Sequence, residues 1–434
     1  MLKVAIATLG CKTNQFESAV MAENLAKDGL SLVPFGEVAD VYVINTCTVT
    51  ARTDAESRRL VRRASRLNPQ ARIVVTGCYA QVTPGDLVAM PEVGLVVGNE
   101  EKKGLAALLR RQGVDSRVMV SDISLQSRAE PLSLTTFAEH TRAFLQVQNG
   151  CDSFCSYCIV PYARGRSRSV PRAPVLEGVE RLAGQGFREV VLTGIHLGSY
   201  GRDLDPPAGL LDLLELLQLR GATGRLRLGS LEPLDITPAL IAFLERSPMV
   251  CHHLHIPLQS GSDQVLARMN RPYGSAYFRD LVTRLVAALP GVCIGLDVIA
   301  GFPGETDAEF AATLRLIEEL PVAYLHVFPF SSRPGTAAAA MTGHLPSRVV
   351  TERAQALRRL GEEKRSAYLS RFVGTELDVL VLKQQGSGVW SGLSRNYLTV
   401  CFSGQPDLAN TEVRVRVTAV RGSSLSGDYV GPLP

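Results

Sequence analysis

Short apolar, β-branched runs punctuate the first hundred residues: KVAIAT (3–8), DVYVINT (40–46), RIVVTG (72–77) and VGLVVG (93–98). Runs of this length and composition are those of strands buried on both faces. Helical periodicity fills the intervals at 18–28, 54–67 and 101–112, and such alternation builds a parallel sheet. Residues 113–140 lose periodicity and read as a linker. From 142 onward the alternation resumes, with strands at 144–148, 189–194, 225–232, 252–259, 293–301 and 324–330. Helices fall near 174–185, 209–219, 237–246, 262–288 (broken at Pro272 and Gly274) and 305–319. Six βα units close most of a barrel, whose chemistry belongs at the C-terminal strand ends. Residues 347–371 form a polar, Arg-rich helix. Beyond it ELDVLVLK, NYLTVCF and EVRVRVTAV, separated by Gly-rich turns, predict a small antiparallel β-barrel. The expected fold is α/β: a parallel-sheet domain over 1–125, a partial (β/α)6 barrel over 140–371 and a β-barrel over 372–434.

Composition adds little to that pattern. The chain of 434 residues is 46% hydrophobic and 20% charged, with 46 Lys and Arg against 42 Asp and Glu, which suits globular domains. No apolar run reaches the ~18–20 residues a membrane helix needs, so no membrane partner is expected. The N-terminal apolar stretch is too short for a signal-peptide core. Nine cysteines in that setting point to a reducing, cytoplasmic compartment and to metal or catalytic use rather than disulfides.

The cysteines carry the chemistry. Cys151, Cys155 and Cys158 lie in NGCDSFCSYCIVPYARGR, directly after the first barrel strand. Structural zinc takes four ligands and an all-protein [4Fe–4S] cluster takes four cysteines. Three thiolates therefore suggest a cluster with one iron left open; a zinc site would need His140 or a more distant histidine. Cys11, Cys47 and Cys78 each lie just past a strand of the N-terminal sheet. That edge binds ligands in open α/β sheets, and the fold would bring the three together. Cys251, Cys293 and Cys401 read as small packing residues.

Other candidates surround these. Tyr157 offers an aromatic face to a bound cofactor. Thr193, Gly194, Ser230, Glu232, Gln259 and Asp297 sit at barrel-strand ends, where small and hydrogen-bonding residues orient a ligand. Arg164, Arg166 and Arg168 form a string that either contacts nucleic-acid phosphates or is a solvated charge run. Arg52, Arg58, Arg59, Arg62, Arg63 and Arg66 give the second helix a solvent- or nucleic-acid-facing surface. His252, His253 and His255 alternate along a strand and cannot all face one site. Arg395, Arg414, Arg416 and Arg421 beside Tyr397 and Phe402 suggest a nucleic-acid face on the last barrel, or simply a packing module.

CxxxCxxC followed by a six-strand βα series resembles the radical S-adenosylmethionine (SAM) enzymes. TLGCKTNQFES (8–18), INTCTVT (44–50) and TGCYAQ (76–81) look like the N-terminal domain of the methylthiotransferases, and the C-terminal segment resembles the RNA-binding TRAM domain. CKTNQFES, LTGIHLGSYG (192–201) and HVFPFSSRPGT (326–336) look most like the branch acting on N6-threonylcarbamoyladenosine at tRNA position 37; sister branches act on isopentenyladenosine or a ribosomal protein aspartate. The resemblance implies two [4Fe–4S] clusters, one held by Cys151, Cys155 and Cys158 and one by Cys11, Cys47 and Cys78. It also implies SAM as cofactor, a reducing partner such as flavodoxin or ferredoxin, and a sulfur donor.

Overall fold

The computed structural model describes residues 2–110, 117–132, 134, 141–386, 388–404 and 407–433. Eleven of the 28 residues of the expected linker, His140 among them, lie outside them; the described part is not a bare linker, since Val118–Met119 forms a strand and Ile123–Leu125 a helical turn. The N-terminal sheet contains β1 (Lys3–Thr8), β2 (Ser31–Val33), β3 (Val41–Thr46), β4 (Arg72–Gly77), β5 (Val93–Val97) and β6 (Val118–Met119). All pair in parallel in the order β2-β1-β3-β4-β5-β6. The strands preceding Cys11, Cys47 and Cys78 are therefore neighbours, with Thr8 opposite Asn45 and Thr46 opposite Gly77.

The first helix, α1 (Lys12–Lys27), begins six residues earlier than periodicity predicts, with Cys11 as its N-cap. Its first turns bury polar residues, Thr13, Asn14, Glu17 and Ser18, so an apolar stripe is absent where hydrogen bonds replace it. α2 (Ala51–Leu67) starts at a Thr50 capping box, the side chains of Thr50 and Thr53 satisfying otherwise orphaned N–H groups. α3 is the short turn Cys78–Val82.

The half-barrel uses β7 (Arg142–Gln146), a two-residue antiparallel ladder of β8 (Gln148–Asn149) and β9 (Arg168–Ser169), then β10 (Glu189–Thr193), β11 (Leu226–Leu228), β12 (His253–Gln259), β13 (Cys293–Ala300) and β14 (Tyr324–Pro329). Sheets β11-β10-β7 and β12-β13-β14 meet at a Leu226–Val250 bridge. Leu254, Ile256, Leu258, Ile294, Leu296 and Val298 face outward into a shared core with the helices. Period-two alternation then turns Glu189, His253, His255 and Asp297 into the lumen. α1 joins the same core through Phe16 and Val20 and packs against the β7 edge.

β15 (Glu376–Gly386), β16 (Val389–Ser394), β17 (Thr399–Ser403), β18 (Glu412–Arg421) and β19 (Ser424–Pro432) close a barrel in the order β15-β16-β17-β19-β18. Its core is continuous with Cys293, Ala323, Tyr324 and Tyr368 of the half-barrel. No helix among the described residues is long and apolar enough to cross a membrane.

Candidate active site

The N-terminal cysteines converge because two glycines permit it. Gly10 has φ +97°, and a Cβ there would lie 2.6 Å from Cys47 Cβ. Gly77 has φ +94°, and a Cβ there would lie 2.4 Å from the Thr46 carbonyl oxygen. Only glycine combines positive φ with such approach. Asn14 laces the loops together, its Nδ2 donating to the Leu9 and Thr46 carbonyls at 2.7 and 3.0 Å. Burial, with Cys78 and Cys11 alongside, pushes the Cys47 thiol up to about 12. Three thiols so placed resist ionising together unless a cation binds them.

Arg164 of the half-barrel crosses to this trio, and it and Arg168 correct the reading of the sequence. Arg164 is not a phosphate contact: it is buried, its Nε donates to Cys78 Sγ at 3.2 Å, and its fork grips Glu17 and Asn14. Lys102 completes the group, with Nζ 2.6 Å from Glu17 and 2.7 Å from Asn99 Oδ1. Burial would raise the Glu17 pKa, but Arg164 and Lys102 prevail and hold it at about 2. Arg168 is likewise buried, donating to the Arg164 and Arg166 carbonyls at 2.9 and 3.0 Å. Of that string only Arg166 faces solvent, its guanidinium 5.2 Å from the ring centre of Phe154. On the other flank Arg333 bonds to Thr48 Oγ1 at 2.7 Å and pairs with Asp54, pinning the loop that follows Cys47.

The loop of Cys151, Cys155 and Cys158 leaves β8 and returns through the helical turn Val160–Arg164 to β9. Burial pushes the Cys158 thiol up to about 12, with Cys155 beside it. Arg271 Nη1 donates to Cys155 Sγ at 3.2 Å and pairs with Glu232. Burial opposes ionisation of Cys151, yet His196 and Ser153 hold its pKa below the ordinary thiol value. The His196 Nδ1 lies 3.8 Å from Cys151 Sγ, and its Nε2 lies 2.7 Å from Asp235. Tyr157 packs on Val265, Met269, Ile299, Phe302 and Ala338.

The strand-end candidates divide. Thr193 bonds to Thr13 of α1 at 3.1 Å, so it docks the N-terminal domain. Gly194 lies against Gln148, whose Oε1 would sit 2.9 Å from an added Cβ. Ser230 is exposed, Glu232 is held by Arg271, and Gln259 sits at φ +63°. Asp297 stands apart from these: its Oδ1 lies 2.8 Å from His255 Nε2 and 3.4 Å from His326 Nδ1. Burial would raise its pKa, but the two imidazoles hold it at about 2. His253 and His255 share one strand face, and both reach the Tyr324 hydroxyl, at 2.9 and 3.2 Å.

The lumen floor is ionic. Glu189 accepts Arg227 at 2.8 Å through both oxygens and Arg225 at 3.0 and 3.2 Å, with Arg142 at 3.5 Å. The last barrel closes this floor. Tyr397 stacks on His253 at 4.0 Å between ring centres, and Arg395 donates to the Pro248 and Gly224 carbonyls. Phe402 is buried, while Arg414 and Arg416 pair with Asp378 and Glu376. Of the residues expected on a basic–aromatic face, Arg395, Tyr397 and Phe402 serve packing, whereas Arg414, Arg416 and Arg421 remain exposed. Sequence reasoning passed over Asn14, Glu17, Lys102, His196 and Arg271. The signal for Asn14, Glu17 and His196 lay in the strings CKTNQFES and LTGIH, while Lys102 and Arg271 lie in neither, and the partners that reveal them, Glu17 and Cys155, are distant in sequence.

Both trios suit an iron–sulfur cluster. Among the described residues no fourth cysteine joins either trio. Cys78 and Cys155 each receive a guanidinium N–H, as anionic sulfur favours.

Residues 145–317 match the Radical SAM superfamily. The radical SAM methyltransferase TsrM from Kitasatospora setae shares the fold, with TM-score 0.57 and 16% identity over 76% of this chain and 74% of that one. Half-barrel and cysteine loop together define a radical SAM enzyme, for which SAM and a [4Fe–4S] cluster are the cofactors. Residues 3–98 match the family described as "Uncharacterized protein family UPF0004". Threonylcarbamoyladenosine tRNA methylthiotransferase MtaB of Bacillus subtilis (strain 168) is 39% identical over 99% of this chain and 97% of its own. The same-named protein of Aquifex aeolicus (strain VF5) is 37% identical over 96% and 100%. The tRNA-2-methylthio-N(6)-dimethylallyladenosine synthase of Pelotomaculum thermopropionicum (strain DSM 13744 / JCM 10971 / SI) is 35% identical over 98% and 97%. The chain belongs to the radical SAM methylthiotransferase family, enzymes that transfer a sulfur-containing group.

Proposed function

We propose that the enzyme adds a methylthio group to C2 of N6-threonylcarbamoyladenosine at position 37 of tRNA in the cytoplasm. The observation that carries this reading is the pairing of two three-cysteine sets, each one ligand short, tied by Arg164 running from the loop of one to Cys78 of the other. Cys151, Cys155 and Cys158 would hold the SAM-cleaving [4Fe–4S] cluster, and Cys11, Cys47 and Cys78 a second one. When bound, they supply one-electron reduction of SAM and a site for the sulfur that is methylated and transferred. The protein orients and excludes water: Arg271 and His196 line the first trio, while Arg164, Asn14 and Glu17 seal the second. Tyr157, Gly194, Ser230, Glu232 and Gln259 remain the proposed surroundings of SAM.

Position 37 lies in a single-stranded loop, where a base can be splayed into a pocket. The exposed Phe154 and Tyr162 beside Arg166 offer stacking at the rim of the cysteine loop. Arg52, Arg62 and Arg66 on the outer face of α2 supply charge for the phosphates, so binding weakens with salt. Mass spectrometry of nucleosides after incubating holoenzyme, reductant, sulfur donor and SAM with modified anticodon stem-loops tests the reading. Product is expected on the threonylcarbamoyl stem-loop and none on the isopentenyl one. The reverse preference would place the enzyme with its dimethylallyladenosine-modifying relatives.

A further inference from the structure

Lys12 is a cation without a partner in the half-barrel lumen. As the first residue of α1 it is drawn in where Thr13 bonds to Thr193 at the end of β10. It makes no ion pair or hydrogen bond among the described residues, and the charges around it are Arg142, Arg227 and Glu189. Glu189 cannot serve it, being committed to Arg225 and Arg227, with Arg142 also at 3.5 Å. Glu412 is shared by Arg225 and Arg395, and Asp297 lies between His255 and His326. Each of these three carboxylates is thus taken, while among the described residues Lys12 remains unmatched and Arg142 is only loosely paired. A half-buried ammonium in such a place favours an incoming anion.

We propose that Lys12, backed by Arg142, receives the carboxylate of the threonyl group on the substrate adenine and so selects this N6 substituent over an uncharged one. The proposal rests on the substrate reading above. A charge-assisted N–H···O bond formed away from water is the strong kind. An apolar substituent of similar size would leave the ammonium desolvated and unpaired, and sites of that design reject such analogues steeply. Placed one residue after Cys11, Lys12 would hold the substituent beside the second cysteine trio, where the methylthio group is to be delivered.

The test compares two stem-loops with holoenzyme, one carrying the threonylcarbamoyl group and one its neutral methyl amide. Wild-type enzyme should bind the acid at least about tenfold more tightly. Lys12→Gln should lose most of that preference, weakening on the acid and changing little on the amide, and Lys12→Arg should restore it. Iron content and 5′-deoxyadenosine formation without RNA report whether Lys12→Gln disturbs the neighbouring cysteines. If it does, Arg142→Gln, remote from them, decides the matter by a partial loss of the same preference. Full acid-over-amide preference in both Gln variants overturns the proposal. A wild-type enzyme that modifies only isopentenyl stem-loops overturns the substrate reading instead, and this one with it.

Discussion

Cys47 and Cys155 look alike in sequence, each a buried thiol in a trio, but the residues around them assign different work. Cys155 faces Arg271 and Glu232 inside the half-barrel, and Cys47 faces Gly10 and the Arg164 group. Cys155→Ala should abolish reductive SAM cleavage. Cys47→Ala should still release 5′-deoxyadenosine but form no methylthio product. Reconstituted wild-type protein should hold about eight irons, two cubane clusters' worth, and about half after triple substitution of Cys11, Cys47 and Cys78 by Ala. An unchanged iron count in the triple variant would contradict the second cluster. Arg164 is the residue on which the second trio leans most. Replacing it by Gln leaves Glu17 to Lys102 alone and frees Cys78, a loss below the roughly 3–5 kcal/mol of a fully unpaired buried charge. Lys at that position should not rescue, because one ammonium cannot reproduce a fork reaching Cys78, Glu17 and Asn14 at once. Urea unfolding and the absorbance of the reconstituted clusters read both effects.

At the level of elements, the second site is built from strand-to-helix turns rather than from helices or strands. β1, β3 and β4 each end in a residue pair that turns the chain sharply into the site, and two of those turns require positive φ. Gly77→Ala would place a Cβ 2.4 Å from the Thr46 oxygen and 2.6 Å from Asn45 Oδ1. Backbone cannot yield there as a flexible side chain would. Strained φ alone costs on the order of 1–2 kcal/mol, and the clash adds to it. The variant should lose the iron of the second trio and keep that of the first, since the groups that hold the first trio, Arg271 on Cys155 and His196 near Cys151, do not come from this turn. Equal loss from both sets would show that the trios assemble as one unit. α1 belongs at this scale too, because one helix serves two bodies. Its Asn14 and Ser18 hold the sheet turns, its Phe16 and Val20 enter the half-barrel core, and Thr13 reaches Thr193.

Across the whole molecule, buried ionic groups hold the three bodies together where apolar cores stop. Glu17 bridges sheet and half-barrel, and Glu189 closes the half-barrel floor beneath the last barrel. Burial would raise both pKa values, but Arg164 and Lys102 in one case, and Arg227, Arg225 and Arg142 in the other, hold them at about 2. A carboxylate with a depressed folded pKa contributes stability above its unfolded value near 4.5, and that contribution is lost as pH falls toward 2. Urea midpoints should therefore hold from pH 7 to about 5 and then drop steeply. Glu189→Gln, already weaker at neutral pH, should show a shallower drop over the same window. A parallel drop in both proteins would rule out Glu189 as a source of the acid sensitivity.

The longer strands of both α/β bodies were legible in the chain, because a strand buried on both faces needs a continuous apolar run, and that run survives in any context; β2, β6, β8 and β9, of two or three residues each, were not. Both cysteine trios were legible for a related reason: strand ends and short spacings are local quantities. β16 and β19 were not, since Ser and Gly dilute VWSGLS and SLSGDYVGP and only barrel closure pairs them. The start of α1 was hidden because the face it buries there is polar. Above all, the sequence could not say which arginines meet solvent. Arg164 and Arg166 are two residues apart in one string, yet one is sealed against Cys78 and the other lies over Phe154. A guanidinium is buried only when a carboxylate and carbonyls arrive to satisfy its donors, and for Arg164 the carboxylate is Glu17, almost one hundred and fifty positions away. Tertiary structure alone brings those groups together, and so it alone decides which charges bind the protein to itself and which remain for a partner.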